Sequence, residues 1–331
     1  MDLPLLSALF LLFALTMYVM LDGFDLGVGA LLLAQRDQRV RDRMVDAIAP
    51  TWDGNETWLI MAAVTLLAGF PRAYGILLPA FYIPVILMLL SLGLRGVSFE
   101  FRHNSANARR RWDIVFAGGS IVAAVAQGLI VGGLIQGVDT DLDSFGGSPL
   151  DMFRPFCLLI AVTVVAGYGT LGVGWLRLKG DDATRAFARR HQRWLPLAFL
   201  GLTIITGVIA ATIQPVLIVS WRHHGIALSF CLLAFAACAL GIALFAGRDD
   251  ADDHIGFGLA LAMMLSTVGA LELSFFPYVL PFRLTLWEAA SGTASHVFLL
   301  IGALVTTPVV LTYTAFAYRV FRGRTPPEGW Y

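Results

Sequence analysis

Two stretches interrupt an otherwise apolar chain with side chains able to hold or pass a proton. The first, LDGFDLGVG from Leu21 to Gly29, carries Asp22 and Asp25; the second, PTWDGNETW from Pro50 to Trp58, carries Asp53, Asn55 and Glu56 between Trp52 and Trp58. A carboxylate taken out of water is costly to keep charged, so acids standing together in an apolar segment exchange protons over small free-energy steps. With water threaded between them, the four acids read as a proton or ion path. Taken singly, each has a local alternative: Asp22 and Asp53 cap helix ends, or pair with Arg95 or with loop arginines.

The remaining ionisable groups divide by position. Glu100 follows Arg95 at the end of the third apolar run, beside Arg102 and His103, and is either a solvated charge or a further stop on the path. Glu272 lies inside an apolar run and must find a partner or stay neutral. Glu288, next to Trp287, reads as an interfacial anchor. The histidines His103, His191, His223, His224 and His254 fall in loops or at run ends, and His296 opens the last run. No facing pair is available to ligate a haem. Cys157, Cys231 and Cys238 have no CxxC or Cys/His spacing and read as small buried hydrophobes. The chain is therefore expected to bind no metal through ligands of its own, and it shows no phosphate-binding or hydrolase motif in a credible context.

The elements that must position these groups follow from composition. At 58% hydrophobic and 14% charged residues, the chain lies far from the roughly 25% charged residues of soluble domains. An all-α polytopic membrane protein is expected, as one membrane domain over residues 1–331. Spanning needs about 20 apolar residues, and nine runs qualify: Leu5 to Leu33, Thr57 to Phe70, Tyr74 to Leu94, Ile114 to Val138, Phe156 to Leu176, Leu195 to Val219, Ile226 to Ala246, Ile255 to Leu280 and His296 to Val320. The second spans only if its helix begins upstream, near Pro50. The first has no basic segment before it and is expected to be a true span and not a cleaved signal.

Arginines and lysines concentrate in alternate loops: Arg36, Arg39, Arg41 and Arg43 after the first run, Arg102 and Arg109 to Arg111 after the third, Arg177 to Arg193 after the fifth, and Arg319 to Arg324 after the ninth. The loop after the fourth is acidic, with Asp139, Asp141, Asp143 and Asp151, whereas Arg248 to Asp253 is ambiguous. Basic loops stay on the cytoplasmic side. The N-terminus is thus expected in the periplasm and the C-terminus in the cytoplasm, which requires an odd number of spans.

Leu26-Gly27-Val28-Gly29 recurs as Leu171-Gly172-Val173-Gly174, and the same displacement lays runs two to four over six to eight. Two parallel four-helix repeats, 5–138 and 156–280, with a ninth helix over 296–320, are expected. Asp22 aligns with Gly167 and Asp25 with Thr170, so the second repeat lacks the acids.

LDGFDLGVG, IAPTWDGNETWL (Ile48 to Leu59), SLGLRGVSFEFR (Ser91 to Arg102), FFPYVLP (Phe275 to Pro281) and TLWEAAS (Thr285 to Ser291) together resemble subunit II of the cytochrome bd-type quinol oxidases, in the same order over nearly the whole chain. Short length and brief loops are similar to the cyanide-insensitive branch. The resemblance implies a haem-free, nine-helix subunit in the bacterial inner membrane, paired with a haem-bearing subunit I that holds two b-type haems and haem d. Such a complex oxidises quinol and reduces dioxygen to water with protons from the cytoplasm. The aspartate of the WDGN stretch belongs to the proton pathway of the family, which maps onto Asp53; the DGFD acids map onto Asp22 and Asp25 as pathway or structural carboxylates. Some members carry Gln in place of Glu56, so the resemblance does not make Glu56 an obligatory carrier. A structural quinone is known in the family but has no motif here, and a small accessory subunit is left open.

The expected function is assembly support and proton supply for the haem-bearing subunit, without catalysis by this chain alone. Asp53 leads the proposed pathway, followed by Asp25, Asp22, Glu56 and Glu100, with Trp52, Asn55, Trp58 and Arg95 in support. The rival from another class is a proton-coupled secondary transporter built on the repeat, which the clustering of the acids at one face and not at the midplane disfavours.

Overall fold

The computed structural model describes residues 2–104, 108–141, 144–245 and 253–326. Asp143, Arg248 to Asp252 and the His103 side chain lie outside the described parts. The chain runs through Leu3–Leu31 (α1), Gln38–Asp46 (α2), Trp52–Gly69 (α3), Pro71–Asn104 (α4), Arg109–Gln136 (α5), Pro155–Lys179 (α6), Asp182–Gln192 (α7), Leu195–Ile213 (α8), Val216–His223 (α9), Gly225–Phe245 (α10) and Asp253–Phe275 (α11). A two-stranded antiparallel ribbon follows, Tyr278–Leu280 (β1) with Leu284–Thr285 (β2), then Leu286–Ala289 (α12) and Thr293–Val320 (α13).

Among the described residues eight helices are long and apolar enough to cross a membrane: α1, α4, α5, α6, α7 continued into α8, α10, α11 and α13. The second predicted run is helical as α3, with 18 residues, but Asp53, Asn55 and Glu56 in its opening turns keep it out of that set. Three boundaries move. The third helix continues past Leu94 to Asn104, which places Glu100 on a helix and not in a loop. The run from Leu195 to Val219 breaks after Ile213, because Pro215 has no backbone donor and excludes α geometry from the residue before it. The run from Ile255 ends at Phe275, and Tyr278–Leu280 is extended.

Two short helices, α2 and α7, form inside the basic loops. Each opens on an aspartate, Asp37 and Asp181, whose carboxylate accepts a hydrogen bond from the backbone of its first turn. Val40, Met44 and Val45 of α2 are buried in the largest core cluster. In the connection between α11 and α13, Glu288 takes hydrogen bonds from the Thr285 backbone and hydroxyl at 2.9 and 2.7 Å, which hold its carboxyl below the usual range. It closes a capping box on α12, and neighbouring Trp287 donates to Asp2 at 3.0 Å.

The glycine motif sits at the centre of the molecule. α1 crosses α6 where Gly27 meets Gly172, so closely that a Cβ on Gly27 would lie 1.8 Å from the Tyr168 carbonyl oxygen. Displaced by the separation of Gly27 and Gly172, the first residues of α2, α3, α4 and α5 fall within two residues of those of α7, α8, α9 and α11. Because the clash at Gly27 is with backbone, no side-chain rotation relieves it. Gly27→Ala is expected to destabilise the fold by at least about 1–3 kcal/mol, read as a lowered Tm of the detergent-solubilised protein. Gly75→Ala on α4, which meets nothing within 4 Å, is the control that leaves Tm unchanged or raises it.

Candidate functional site

From Asp22 to Gly29 every residue of α1 is buried, because α1 packs against α3, α5, α6, α11 and α13. Asp22 and Asp25, three residues apart, share a face. On α3 the buried face is Asn55, Trp58, Ala62, Thr65 and Gly69, a helical stripe of three- and four-residue steps. Arg95 reaches the same place from α4 and is fully buried.

These side chains interlock. Arg95 Nη2 donates to Asp22 Oδ1 at 2.6 Å and to Glu56 Oε1 at 2.5 Å, so one guanidinium nitrogen joins α1 and α3. Asn55 Nδ2 donates to Asp25 Oδ2 at 2.7 Å, and Asn55 Oδ1 accepts from the Tyr318 hydroxyl of α13 at 3.2 Å. Four buried atoms of the cluster have no protein partner: Asp22 Oδ2, Asp25 Oδ1, Arg95 Nε and Arg95 Nη1. Buried polar groups of this kind are ordinarily satisfied by ordered water. A low-dielectric interior tolerates uncompensated charge poorly. Three carboxylates thus gather around one guanidinium.

A second hydrogen-bonded chain stands one turn away. Tyr168 of α6 donates to Gln127 Oε1 at 2.5 Å, and Gln127 Nε2 donates to the Tyr18 oxygen at 2.8 Å. Tyr18 precedes Asp22 by one helical turn.

Of the residues expected from sequence, the structure gathers Asp22, Asp25, Glu56, Asn55 and Arg95. Asp53 is exposed, because it precedes Asn55 by two residues, about 200° around the helix. It shares its outer face with Ile60, Val64 and Leu67 and stands one turn before Glu56, whose side chain is 24% exposed. Glu100 is also exposed and lies apart from the cluster. Trp52 stacks on Phe99 with ring centres 4.9 Å apart, and Trp58 is buried edge-on against Phe13. Both pack α3 against its neighbours.

Sequence reasoning missed the ion network at the end of α4. Buried Asp113 on α5 accepts from Arg102 Nε at 2.6 Å and from Gln38 at 3.1 Å, and pairs with Arg41 at 3.2 Å. Arg102 also donates to Asp42 at 2.5 Å. A second network joins Arg177, Asp253, Arg185 and Gln192 across α6, α7 and α11. In the sequence the signal for these networks is the pair of aspartates near the openings of α5 and α11, Asp113 and Asp253, beside the arginines that mark topology. No group of three or more His, Cys, Asp or Glu able to hold a metal occurs among the described residues. His296 instead pairs with Ser7 at 2.7 Å, where α13 begins against α1.

Residues 3–321 match the family model described as cytochrome bd terminal oxidase subunit II. The chain is 30% identical to the cytochrome bd-I ubiquinol oxidase subunit 2 of Escherichia coli, over 94% of this chain and 92% of that one. It is 29% identical to the cytochrome bd ubiquinol oxidase subunit 2 of Bacillus subtilis, over 93% and 92%. Identity is also 29% to a probable cytochrome oxidase subunit 2 of Haemophilus influenzae, over 92% and 90%. Its fold is similar to a chain of the bd oxidase from Geobacillus thermodenitrificans, with a TM-score of 0.78 at 15% identity, over 97% of this chain and 99% of that one.

Proposed function

This chain belongs to the cytochrome bd terminal oxidase subunit II family, and from that premise we propose that it is the haem-free subunit of a bacterial inner-membrane quinol:dioxygen oxidoreductase. It supports assembly of a haem-bearing subunit I and delivers cytoplasmic protons for the reduction of O2 to water. The haems supply the oxygen chemistry from the partner; this chain's residues hold and position protons. Nine spans, counting α3 as the second, and a periplasmic N-terminus accord with the basic loops. A parallel pair of repeats accords with the matched helix starts and with the packing of Gly27 on Gly172.

The observation that carries the proton role is the sharing of the Arg95 guanidinium between Asp22 and Glu56, with Asp25 held beside them by Asn55. Asp22, Asp25, Asn55 and Arg95 are buried, and Glu56 is the half-buried member. Asp53, one turn earlier on the exposed face of α3, passes protons to Glu56 or collects them from the surface. Asp22 and Asp25 form the interior store, and Arg95 keeps enough positive charge in place for the group to give up and regain a proton without unfolding.

Asp53→Asn in the assembled complex tests the surface end of this path. Quinol-dependent oxygen consumption is expected to fall while the haem spectrum stays intact. Unchanged turnover would remove Asp53 from the path, and loss of the haems would make it structural.

A further inference from the structure

The cluster is approached from a second side. α13 passes the opening of α3 so closely that a Cβ on Gly54 would lie 3.2 Å from the Tyr313 ring. Between the two helices a small cleft is lined by Thr51, Asn55, Thr314, Ala317 and Tyr318, with room for about one water molecule. Three features of its wall point to solvent. Asn55, on this wall, is the residue that holds Asp25 at 2.7 Å, and the other oxygen of Asp25 is buried without a protein partner. The Thr314 hydroxyl is likewise buried without a partner, as is that of Thr307 on the same helix, whereas Thr306 and Thr312 bond back to the carbonyl one turn earlier. The Tyr318 hydroxyl closes the inner side through a 3.2 Å bond to Asn55, weaker than an O–H donor usually makes. On the far side of Tyr318 a second cleft of the same size is lined by Ala47, Pro50, Trp175, Lys179 and Phe321, where the chain leaves α13.

We propose that water held in the α3–α13 cleft by Thr314 and Tyr318 is a second cytoplasmic entrance to the cluster, reaching Asp25 past Asn55 without passing through Asp53. Asn55 is a poor proton carrier, since an amide neither gains nor loses a proton readily. Its part is to hold Asp25 toward the cleft. Proton entry then occurs through water that the Thr314 and Tyr318 hydroxyls hold beside Asn55. Thr314 and Tyr318 are positioning residues, fixing the water and not carrying charge themselves. This inference rests on the proton role proposed above.

The test uses the assembled oxidase, made with its haem-bearing subunit, and reads quinol-dependent oxygen consumption, its pH profile and its solvent deuterium isotope effect, normalised to haem content. Asp53→Asn alone is expected to leave measurable turnover. Adding Thr314→Val, which keeps shape and removes the hydroxyl, is expected to lower that remainder at least tenfold, to shift the pH profile and to raise the isotope effect; Thr314→Ser in its place restores turnover. Tyr318→Phe in the same background makes the comparison at the other wall, and serves alone if the valine variant does not assemble. The entrance is overturned if Asp53→Asn already abolishes turnover, if Val or Phe adds nothing, or if Ser is as slow as Val. Asp25→Asn separates the two ideas: full turnover there refutes the proton role itself, whereas a slow Asp25→Asn with fast Thr314 and Tyr318 variants refutes only this entrance.

Discussion

Arg95→Leu is expected to abolish accumulation of the folded subunit, and with it the oxidase. Arg95 is fully buried and is the cation shared by Asp22 and Glu56 at 2.6 and 2.5 Å. Removing one partner of a buried ion pair costs about 3–5 kcal/mol, because the other charge is left uncompensated. Here two carboxylates lose their cation at once, against a total stability of roughly 5–15 kcal/mol. The sign of the effect distinguishes charge from packing. Neutralising the stranded acids in the same chain, as Arg95→Leu with Asp22→Asn and Glu56→Gln, is expected to recover much of the folded protein; if it does not, Arg95 acts through its shape. Immunoblots of membranes and size-exclusion profiles of the detergent extract give the answer.

The second large effect falls on rate and not on stability. Asp25→Asn keeps the side chain's size and leaves Arg95 with its bonds to Asp22 and Glu56. It is expected to lower quinol-dependent oxygen consumption by roughly a hundredfold, the scale on which a positioned proton-transfer group contributes, with haem content unchanged. The amide keeps an oxygen to accept from Asn55 but cannot gain or lose a proton as a carboxyl does. Asp22→Asn combines both effects, since it also removes half of the charge that holds Arg95.

The acids of this cluster were legible because ionisable residues in apolar runs stand out in any composition. Asp22 and Asp25 came with their helix phase, three residues apart, and Arg95 stood beside the loop arginines among the cations offered for Asp22. What the chain did not declare was the phase of α3 against α1. A helix opening at Trp52 turns Asn55 inward and Asp53 outward, and that follows only once Trp58, Ala62 and Thr65 are known to face α1. Asp53, first among the expected residues, accordingly stands at the surface, while Asn55, expected only as support, touches Asp25.

The other gaps have similar causes. α2 and α7 are too short and too charged to register against the period of a spanning helix, and they form because Asp37 and Asp181 cap them and the core accepts one apolar side of each. Arg41, Asp42, Arg102 and Asp113 belong to separate loops or run ends in sequence, and meet only because α4 extends to Asn104. Tyr18, Gln127 and Tyr168 lie on three helices and give no local signal. Glu272, by contrast, remains half-buried on α11, and nothing in the structure explains it.

The central claim is that protons consumed in oxygen reduction pass through the carboxylates of this chain. It is tested most directly by reconstituting the oxidase into liposomes with the cytoplasmic face outward and following external pH during quinol-driven oxygen reduction, for the native complex and for Asp25→Asn. The account predicts that external proton uptake and oxygen consumption fall together in the variant while the haem spectrum is unaltered. Uptake and consumption at the native rate in a fully assembled Asp25→Asn complex would contradict it.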